Sequence, residues 1–381
     1  MNAPDSPLRR LLHTPPATPA APCRVADVLA GRPVVVYGCG DGLITFSVFV
    51  LDKFGIRPEV CLDAKFTAPT TLGDIPAMAP ADYRPDPALL DRAVAVVTVG
   101  KTRFHADIFA TLRGLGFTRI VLASDLYEYH LSHAPAGFEQ LGQTWFAERA
   151  DVIERAYALL ADAKSRSVFE AVLQTHVAQM PVPIPRDPLE HQYFPHDVPL
   201  AAGVARTLNC GAYDGDTVRQ LHARHGRIEA LACFEPDLPN FTRLRATLTE
   251  HAGQLAGTVM AFPCGVFDDD VQLRFAGGNR INSTLSDDGD TVVQCVALDH
   301  VLPDFRPTFI NMDIEGAEPH ALRGARQLIR ANRPDLAICV YHHPAHLWEI
   351  ALQIHALVPD YRFYLRNYTG FPAETVLYAS R

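Results

Sequence analysis

The sequence predicts an α/β protein built from two tandem Rossmann-like units. Short apolar runs alternate with stretches of helical pattern in two separate parts of the chain, which predicts parallel sheets with right-handed crossovers. Each series contains an apolar run that leads into a glycine turn, VVVYGCGDG in the first and TLNCGAYDGD in the second. The length of 381 residues also favours two domains over one.

The composition is that of a globular, acidic protein. Hydrophobic residues make up 48% of the chain and charged residues 20%, which is far from the disordered or fibrous classes. The 43 acidic and 34 basic side chains leave a net charge of -9. Because the phosphate backbone of nucleic acids attracts the opposite charge, we expect no nucleic-acid partner.

The cysteines and the apolar runs bear on the cellular compartment. The eight cysteines stand singly, without a C-x-x-C pair, and most lie in apolar runs, which is typical of buried thiols in a reducing compartment. No run approaches the roughly 20 apolar residues that span a bilayer, and the N-terminus lacks an apolar signal core. We therefore expect a cytoplasmic protein without a membrane span, in an oligomeric state that the sequence leaves open.

The first unit is predicted over residues 24–135. Residues 1–23 precede it as a disordered lead-in, because six prolines in this stretch disfavour both helix and sheet. The predicted elements of the unit are, in order, the strand RPVVVY, the helix LITFSVFVLDKFG, the strands PEVCLD and AVAVVTVG, the helix HADIFATLRGLGF and the strand TRIVLAS.

A helical connector is predicted over residues 136–190, and a second domain over 191–381. Apolar residues recur at near-helical spacing between about 143 and 180, which favours one or two helices. The proline-rich PVPIPRDP that follows marks the boundary. Beyond it a second α/β alternation begins, with apolar runs that include VARTLNC, EALACF, TVVQCVAL, PTFINMD and LAICVY.

The segment LNCGAYDGDT carries the strongest site signal, because it joins a strand to a helix. Gly211 and Gly215 let backbone amides approach a ligand closely. Asp214 and Asp216 would repel a phosphate but suit an ammonium or sulfonium group. Glu235 ends the next strand, where an acid can bind the two hydroxyls of a ribose. Together these residues predict S-adenosylmethionine as the cofactor, although each piece alone is also compatible with a tight turn beside a surface acid.

Several motifs occur in a recognisable order: CGAYDGDT, CFEPDLPNFTRL, NMDIEGAEPHALRGA, PDLAICVYHHPAHLWEI and YLRNYTGFPAETVLYA. In these, and in the preceding HQYFP, residues 190–381 resemble the FkbM-family S-adenosylmethionine-dependent methyltransferases. The resemblance implies a class I methyltransferase-type sheet with helices on both faces. It also implies O-methylation of a hydroxyl, of a sugar in a glycan, glycoconjugate or secondary-metabolite precursor. Two features depart from the family pattern: Asn209 replaces an expected acid, and CGVF is only loosely similar to the adenine-side loop.

The cofactor-binding residues expected on this basis lie at the ends of the first strands of the second domain. They are Asn209, Gly211, Tyr213, Asp214, Gly215, Asp216, Thr217, Glu235, Pro236 and Gly265.

The candidate catalytic residues are Asp313, Glu315 and His342. Asp313 and His342 follow apolar strands, and residues at the carboxyl ends of such strands face one crevice. One acid of DIEGAE, which also includes Glu318, is expected to deprotonate an acceptor hydroxyl. Alternatively, Asp313 together with Glu315 or His342 is expected to hold a divalent cation. The alternative for these acids is a helix cap. A metal requirement stays open, and His342 is favoured over His343 because neighbours on an extended chain point apart.

The acceptor is expected to be a small-molecule or glycan hydroxyl. The polar segment NRINSTLSDDG is interpreted either as a loop over the acceptor, with Asn282 and Ser283 as hydrogen-bonding residues, or as a solvated loop. Arg366 and Tyr368 are weaker acceptor candidates and fit a strand surface equally well.

The glycine turn of the first unit supports a separate hypothesis. Gly38, Gly40 and Gly42 follow a strand, and Asp63 ends the next one, which is similar to a dinucleotide site without being G-x-G-x-x-G. The alternative functions are therefore a nicotinamide-dependent oxidoreductase and a non-catalytic nucleotide-sugar binding protein. A domain that only packs is the simpler interpretation of this turn.

Overall fold

The computed structural model divides into two compact units. We call Met1–His13, Gln143–Leu173 and Pro183–Arg381 the C-terminal unit, and Thr14–Gly142 with Gln174–Val182 the N-terminal unit. The predicted connector is thus shared between them, and the predicted domain limits stay a prediction. The structure describes residues 7–13, 24–29, 31–99, 104–126, 129, 141–178, 182–276, 284–285 and 291–381.

The elements of both units are numbered in chain order. The strands are β1 Val34–Tyr37, β2 Val60–Leu62, β3 Thr70–Leu72, β4 Ile75–Met78, β5 Val94–Val97, β6 Ile120–Leu122, β7 Arg206–Cys210, β8 Ile228–Phe234, β9 Ala256–Phe262, β10 Gly265–Val266, β11 Val271–Ala276, β12 Thr284–Leu285, β13 Thr291–Val296, β14 Phe309–Met312, β15 Asp335–Cys339, β16 Arg362–Asn367 and β17 Thr375–Ser380. The helices are α1 Pro7–His13, α2 Val25–Val28, α3 Asp41–Phe46, α4 Asp52–Phe54, α5 Pro87–Leu90, α6 His105–Gly114, α7 Gln143–Ala147, α8 Ala150–Ala158, α9 Ala163–Ala178, α10 Asp216–His225, α11 Leu238–Glu250, α12 Leu298–Val301, α13 Glu318–Gly324, α14 Arg326–Asn332 and α15 His346–Leu357.

The N-terminal unit contains one sheet with the strand order β3-β4-β2-β1-β5-β6. Five strands are parallel, and β3 pairs antiparallel with β4 at one edge. Every residue of β1 and β5 is buried, as expected for valine-rich central strands covered on both faces. This arrangement confirms a Rossmann-like unit.

The C-terminal unit contains a seven-stranded sheet with the order β16-β17-β15-β14-β7-β8-β9. The five strands from β15 to β9 are parallel, whereas β17 is antiparallel to both β15 and β16. Strands β14 and β15 are buried throughout. The predicted α/β fold class is therefore confirmed in both units.

The C-terminal unit also contains a second, smaller sheet, whose strands lie between β9 and β14 in the sequence. It has the order β10-β13-β11-β12, and β11 pairs antiparallel with β13. The run TVVQCVAL, predicted as part of the main alternation, belongs to this sheet. Its pattern of short apolar residues does not by itself distinguish the two sheets. Of the predicted acceptor loop, Asn282 and Ser283 lie outside the described residues.

Helices occupy two segments in a way that the sequence did not predict. Three helices, α7 to α9, lie where one or two were expected. Residues 7–13, inside the expected disordered lead-in, form α1. Leu8 and Leu12, one helical turn apart, are buried, and Arg9 forms ion pairs with Asp151 and, at 2.8 Å, with Glu154. Burial of this leucine pair explains how a proline-rich segment contains a helix.

Among the described residues, no helix combines the length and the apolar character needed to cross a membrane.

Candidate active site

A cavity of about 320 Å³ lies at the carboxyl edge of the seven-stranded sheet. Residues that follow four parallel strands line it: Gly211 after β7, Glu235 after β8, Asp313 after β14 and Tyr341 after β15. β7 and β14 are neighbours, and the chain continues from them to strands on opposite sides. Ligands bind at such switch points in open α/β sheets.

The glycine turn between β7 and α10 forms one wall of the cavity. Gly211 has a φ of +80°, and a Cβ atom there would lie 1.8 Å from the carbonyl oxygen of Asp313. Only glycine therefore allows this close approach. The backbone N–H of Tyr213 donates to Oε2 of Glu235 at 2.8 Å. The turn, the end of β8 and the loop after β14 thus meet at one place.

The carboxylate of Glu235 is almost completely enclosed, with 6% of the residue exposed. Its Oε1 accepts the backbone N–H of Asp237 at 2.9 Å, in addition to the bond from Tyr213. Burial raises the pKa of Glu235 to about 7 in spite of these two hydrogen bonds. Because a carboxylate can accept about four hydrogen bonds, Glu235 retains capacity for ligand hydroxyls.

Asp313 is held by two tyrosines. The hydroxyl of Tyr193 donates to its Oδ2 at 2.7 Å, and that of Tyr341 donates to its Oδ1 at 3.1 Å. Burial, followed by the charge of Asp313, raises the pKa of both tyrosines well above the ordinary range. Both hydroxyls therefore stay protonated and fix the orientation of the Asp313 carboxylate.

His342 lies next to Asp313 but does not line the cavity, and 8% of its side chain is exposed. Its Nδ1 is 2.8 Å from Oε1 of Glu318, and its Nε2 is 3.3 Å from Oδ1 of Asp313 and 3.4 Å from Oε2 of Glu315. Burial alone would lower the pKa of His342, but the carboxylates, Glu318 foremost, raise it to about 10. An imidazolium has no free lone pair, so in this state His342 cannot deprotonate an acceptor.

Four residues of the cavity have a left-handed backbone without being glycine. Their φ angles are 64° at Tyr193, 46° at Tyr213, 55° at Glu315 and 57° at Glu374. Each such residue costs roughly 1–3 kcal/mol, and such residues cluster at functional sites. Burial also raises the pKa of Glu315 and of Glu374 to about 7. The residues with a strained backbone and the acids with a raised pKa therefore line the same cavity.

The charge of the cavity wall is negative. Among the described lining residues there is no lysine, arginine or histidine. The acids that line it come from four loops of the C-terminal unit and are Asp216, Glu235, Asp313, Glu315 and Glu374. The cavity therefore suits a ligand that carries positive charge and disfavours a polyphosphate.

The structure brings most of the predicted site residues together. Those that line the cavity are Gly211, Tyr213, Asp216, Thr217, Glu235, Pro236, Gly265, Asp313 and Glu315. Four others do not line it. Asn209 is buried and accepts a hydrogen bond from Asn311 at 2.9 Å, Asp214 pairs with Arg219 at 2.8 Å, and Gly215 caps α10, while His342 lies behind the wall.

Sequence reasoning missed four polar residues of the wall, of which Asn240 lies on α11. Tyr193 lies in the HQYFP segment, to which no role was given. Tyr341 directly precedes His342, and its position after a strand was a signal that applied to it equally. Glu374 accepts the side-chain N–H of Gln192 at 2.5 Å and precedes β17. Because β17 is antiparallel, its first residues meet the carboxyl ends of the parallel strands.

The weaker acceptor candidates have other contacts. Arg366 is 1% exposed and pairs with Asp162 at 2.7 Å and with Asp197 at 3.0 Å. The Tyr368 hydroxyl lies 2.6 Å from that of Tyr378. Neither residue lines the cavity, and their contacts explain them as parts of the core.

Comparison with known proteins identifies the domain. Residues 209–369 match the family model described as the methyltransferase FkbM domain. This part of the chain is an FkbM methyltransferase domain. No curated protein matches the chain. Among solved structures, methyltransferase FkbM from Methylobacillus flagellatus KT is similar, with 20% identity, a TM-score of 0.63, and coverage of 93% of this chain and 92% of that chain.

The FkbM domain contains the whole glycine turn and the Asp313 cluster. Its family match ends at residue 369, before Glu374. At 20% identity, the likeness to the solved structure shows a shared fold over nearly the whole chain. The activity that the family establishes for this domain is methyl transfer.

Protein groups contact two residues of the predicted dinucleotide site in the N-terminal unit, Gly42 and Asp63. Oδ2 of Asp63 accepts the backbone N–H of Cys39 at 2.7 Å. A Cβ atom at Gly42 would lie 1.9 Å from the carbonyl oxygen of Thr98, whereas Gly40 faces open space. Internal packing and capping thus account for Gly42 and Asp63 without a ligand.

Proposed function

We propose that the FkbM domain transfers a methyl group from S-adenosylmethionine to a hydroxyl, that of a sugar in a glycan, glycoconjugate or secondary-metabolite precursor. The observation that carries this proposal is the position of Glu235. It is a buried acid at the end of the second parallel strand, beside the glycine turn and in the same cavity as Asp313 and Glu315.

The residues present fit this cofactor. Glu235 has hydrogen-bonding capacity for the two ribose hydroxyls, and Pro236 and Gly265 supply an apolar wall for a flat base. A Cβ atom at Gly265 would lie 2.9 Å from Sγ of Cys295, so glycine keeps this wall close. Asp216, at the start of α10, places negative charge where an ammonium or sulfonium group is stabilised.

S-Adenosylmethionine supplies a methyl group bound to a positively charged sulfur. The acceptor oxygen forms a bond to this carbon, the carbon–sulfur bond breaks, and its electron pair stays on sulfur. Orientation of such partners contributes about 7–11 kcal/mol, whereas a general base contributes about 10²–10⁴-fold. Holding the two ligands in line is therefore the main task of the cavity.

Asp313 and Glu315 face the acceptor hydroxyl in this proposal. The two tyrosine hydroxyls hold Asp313 in one orientation, so it positions the hydroxyl. Among the described residues, Glu315 accepts no hydrogen bond, although it lies 3.4 Å from His342. This geometry supports Glu315 as the group that receives the proton of the hydroxyl.

The test is transfer of label from methyl-labelled S-adenosylmethionine to a panel of nucleotide sugars and cell glycan extracts. We expect a labelled product with the wild type and its loss in Glu235→Gln. Glu229→Gln is the matched control, because Glu229 lies on the same strand, has a side chain that is 64% exposed and pairs with Arg206. Binding of the cofactor without labelled product from any acceptor would contradict methyl transfer to such hydroxyls.

A further inference from the structure

His342 and three acids form a cluster at the back of the cavity. Asp313, Glu318 and His342 each place one potential ligand atom within 4.8 Å of the other two. Nε2 of His342 faces Oδ1 of Asp313 at 3.3 Å and Oε2 of Glu315 at 3.4 Å. Because Asp313 and Glu315 also line the cavity, an ion bound between them would be open to an acceptor.

The Nε2 atom of the histidine in this cluster is buried without a hydrogen bond within the described part of the chain. Its side chain is 8% exposed; Nδ1 lies 2.8 Å from Oε1 of Glu318, whereas Nε2 makes no hydrogen bond to any of the described residues. Oε2 of Glu318, in a side chain with no exposure, has Nδ1 of His346 at 3.5 Å. Buried polar atoms of native proteins are almost always paired, so the unpaired Nε2 of His342 indicates a missing ligand.

The distances fit a divalent cation. Neighbouring ligand atoms around an ion at about 2.1 Å are about 3.0–3.4 Å apart in octahedral or tetrahedral geometry. The two distances from Nε2 of His342 to Asp313 and Glu315 fall in this range. A metal-bound histidine also places its other nitrogen against a carboxylate. Glu318 has this position, 2.8 Å from Nδ1.

We propose that the FkbM domain binds one divalent cation of the Mn²⁺ or Mg²⁺ class through the carboxylates of Asp313 and Glu315 and through Nε2 of His342, whose proton is released when the cation binds. Glu318 is a positioning residue that orients the His342 ring. The consequence for catalysis rests on the proposed function: an ion held by these residues would lower the pKa of the acceptor hydroxyl, and the carboxylate oxygen of Glu315 that does not hold the ion would receive the proton.

The experiment uses the full chain, freed of metal with a chelator and titrated with Mn²⁺ alone. Electron paramagnetic resonance is expected to show one bound ion, with nitrogen coupling from His342 in the spin-echo modulation. Asp313→Asn and His342→Gln should each weaken binding at least tenfold, and His342→Gln should remove the nitrogen coupling. Glu318→Gln should weaken binding by about 10–100-fold, as expected for a group that orients a metal-bound histidine.

Glu235→Gln is the control, because Glu235 lies in the same cavity but outside the cluster; it should bind Mn²⁺ like the wild type. Absence of bound Mn²⁺ at millimolar concentration would overturn the proposal, as would binding that lacks nitrogen coupling and is unchanged in Asp313→Asn. If His342→Gln does not fold, the wild-type spectrum and Asp313→Asn still decide. Titration of the metal-free protein with S-adenosylmethionine separates the two proposals. If the protein binds Mn²⁺ but does not bind S-adenosylmethionine, only the proposed function is contradicted.

Discussion

The two glycine turns of the molecule share a backbone arrangement and differ in chemistry. In the N-terminal unit the N–H of Cys39 donates to Asp63 at 2.7 Å, and in the C-terminal unit the N–H of Tyr213 donates to Glu235 at 2.8 Å. In both, an acid from the second strand caps the turn. The common geometry explains why both segments resemble nucleotide sites in sequence.

The two units differ at the end of the strand that lies next to the glycine turn, which is β5 in the N-terminal unit and β14 in the C-terminal unit. In the N-terminal unit this strand end supplies Thr98, whose hydroxyl donates to the carbonyl of Gly38 at 2.7 Å. In the C-terminal unit it supplies Asp313, and Glu315 follows. Asp63 also has a lysine, Lys65, at 3.9 Å, whereas no basic residue pairs with Glu235 among the described residues. Function therefore depends on side chains at strand ends, while the fold alone is shared.

The largest effect on stability should come from alanine substitutions that add a Cβ atom to each glycine turn. Gly211→Ala and Gly42→Ala place a Cβ 1.8 Å and 1.9 Å from a carbonyl oxygen. Overpacking of this kind costs about 3 kcal/mol or more, so both should lower the free energy of unfolding, measured with urea. Only Gly211→Ala should also abolish cofactor binding. Equal loss of binding in Gly42→Ala would show that the two turns do not differ in function.

Gly203→Ala is the control for backbone strain alone. Gly203 has a φ of +71°, and a Cβ atom at this position would have no other atom within 4 Å. The substitution should cost about 1–2 kcal/mol, the cost of a left-handed conformation. A loss as large as that of Gly211→Ala would show that contact with Asp313 is not the cause.

The second effect is on pH dependence. The pKa of Glu235 is raised from an ordinary 4.5 to about 7, chiefly by burial, with Asp237 as a nearby carboxylate. The folded state therefore holds this proton more tightly, so the stabilisation is complete below pH 4.5 and is lost as the pH rises through 7. Glu235→Gln should remove this contribution from urea unfolding.

Cofactor binding should change with pH in the opposite direction. A positively charged ligand favours ionised Glu235, so affinity for S-adenosylmethionine should rise with pH up to about 7, by up to about tenfold per unit. Titrations between about pH 5.5 and 8 check this. The same slope in Glu235→Gln would assign the effect to other groups of the cavity.

The smallest effect is expected at Asp63. Asp63→Asn keeps one acceptor for the N–H of Cys39, so the free energy of unfolding should fall by no more than about 1 kcal/mol. Its cofactor affinity should equal that of the wild type. Weaker cofactor binding in this variant would move the site to the N-terminal unit.

The sequence predicted the parts of this molecule that depend on local patterns. The valine-rich β1 and the strand-glycine-helix segment around Gly211 have signals within a few residues, and so does Glu235 at a strand end. Glu374 could not be found in this way, because its place depends on β17 being antiparallel. The helix α1 was missed because burial of its leucines depends on partners that are distant in sequence.

The site was predicted by residue type more reliably than by role. Asp214 was expected at the ligand, yet it pairs with Arg219. His342 was expected as a catalytic residue, but three carboxylates surround its ring. Its protonation depends on distances that no sequence spacing specifies.

Calorimetric titration of the full chain with S-adenosylmethionine is the decisive measurement for the proposed cofactor site. We predict one binding site in the wild type, unchanged in Asp63→Asn and at least tenfold weaker in Glu235→Gln, because hydrogen bonds to a charged group contribute about 1.5–3 kcal/mol. No binding heat with the wild type, or equal affinity in Glu235→Gln, would contradict the assignment of Glu235 to this cofactor.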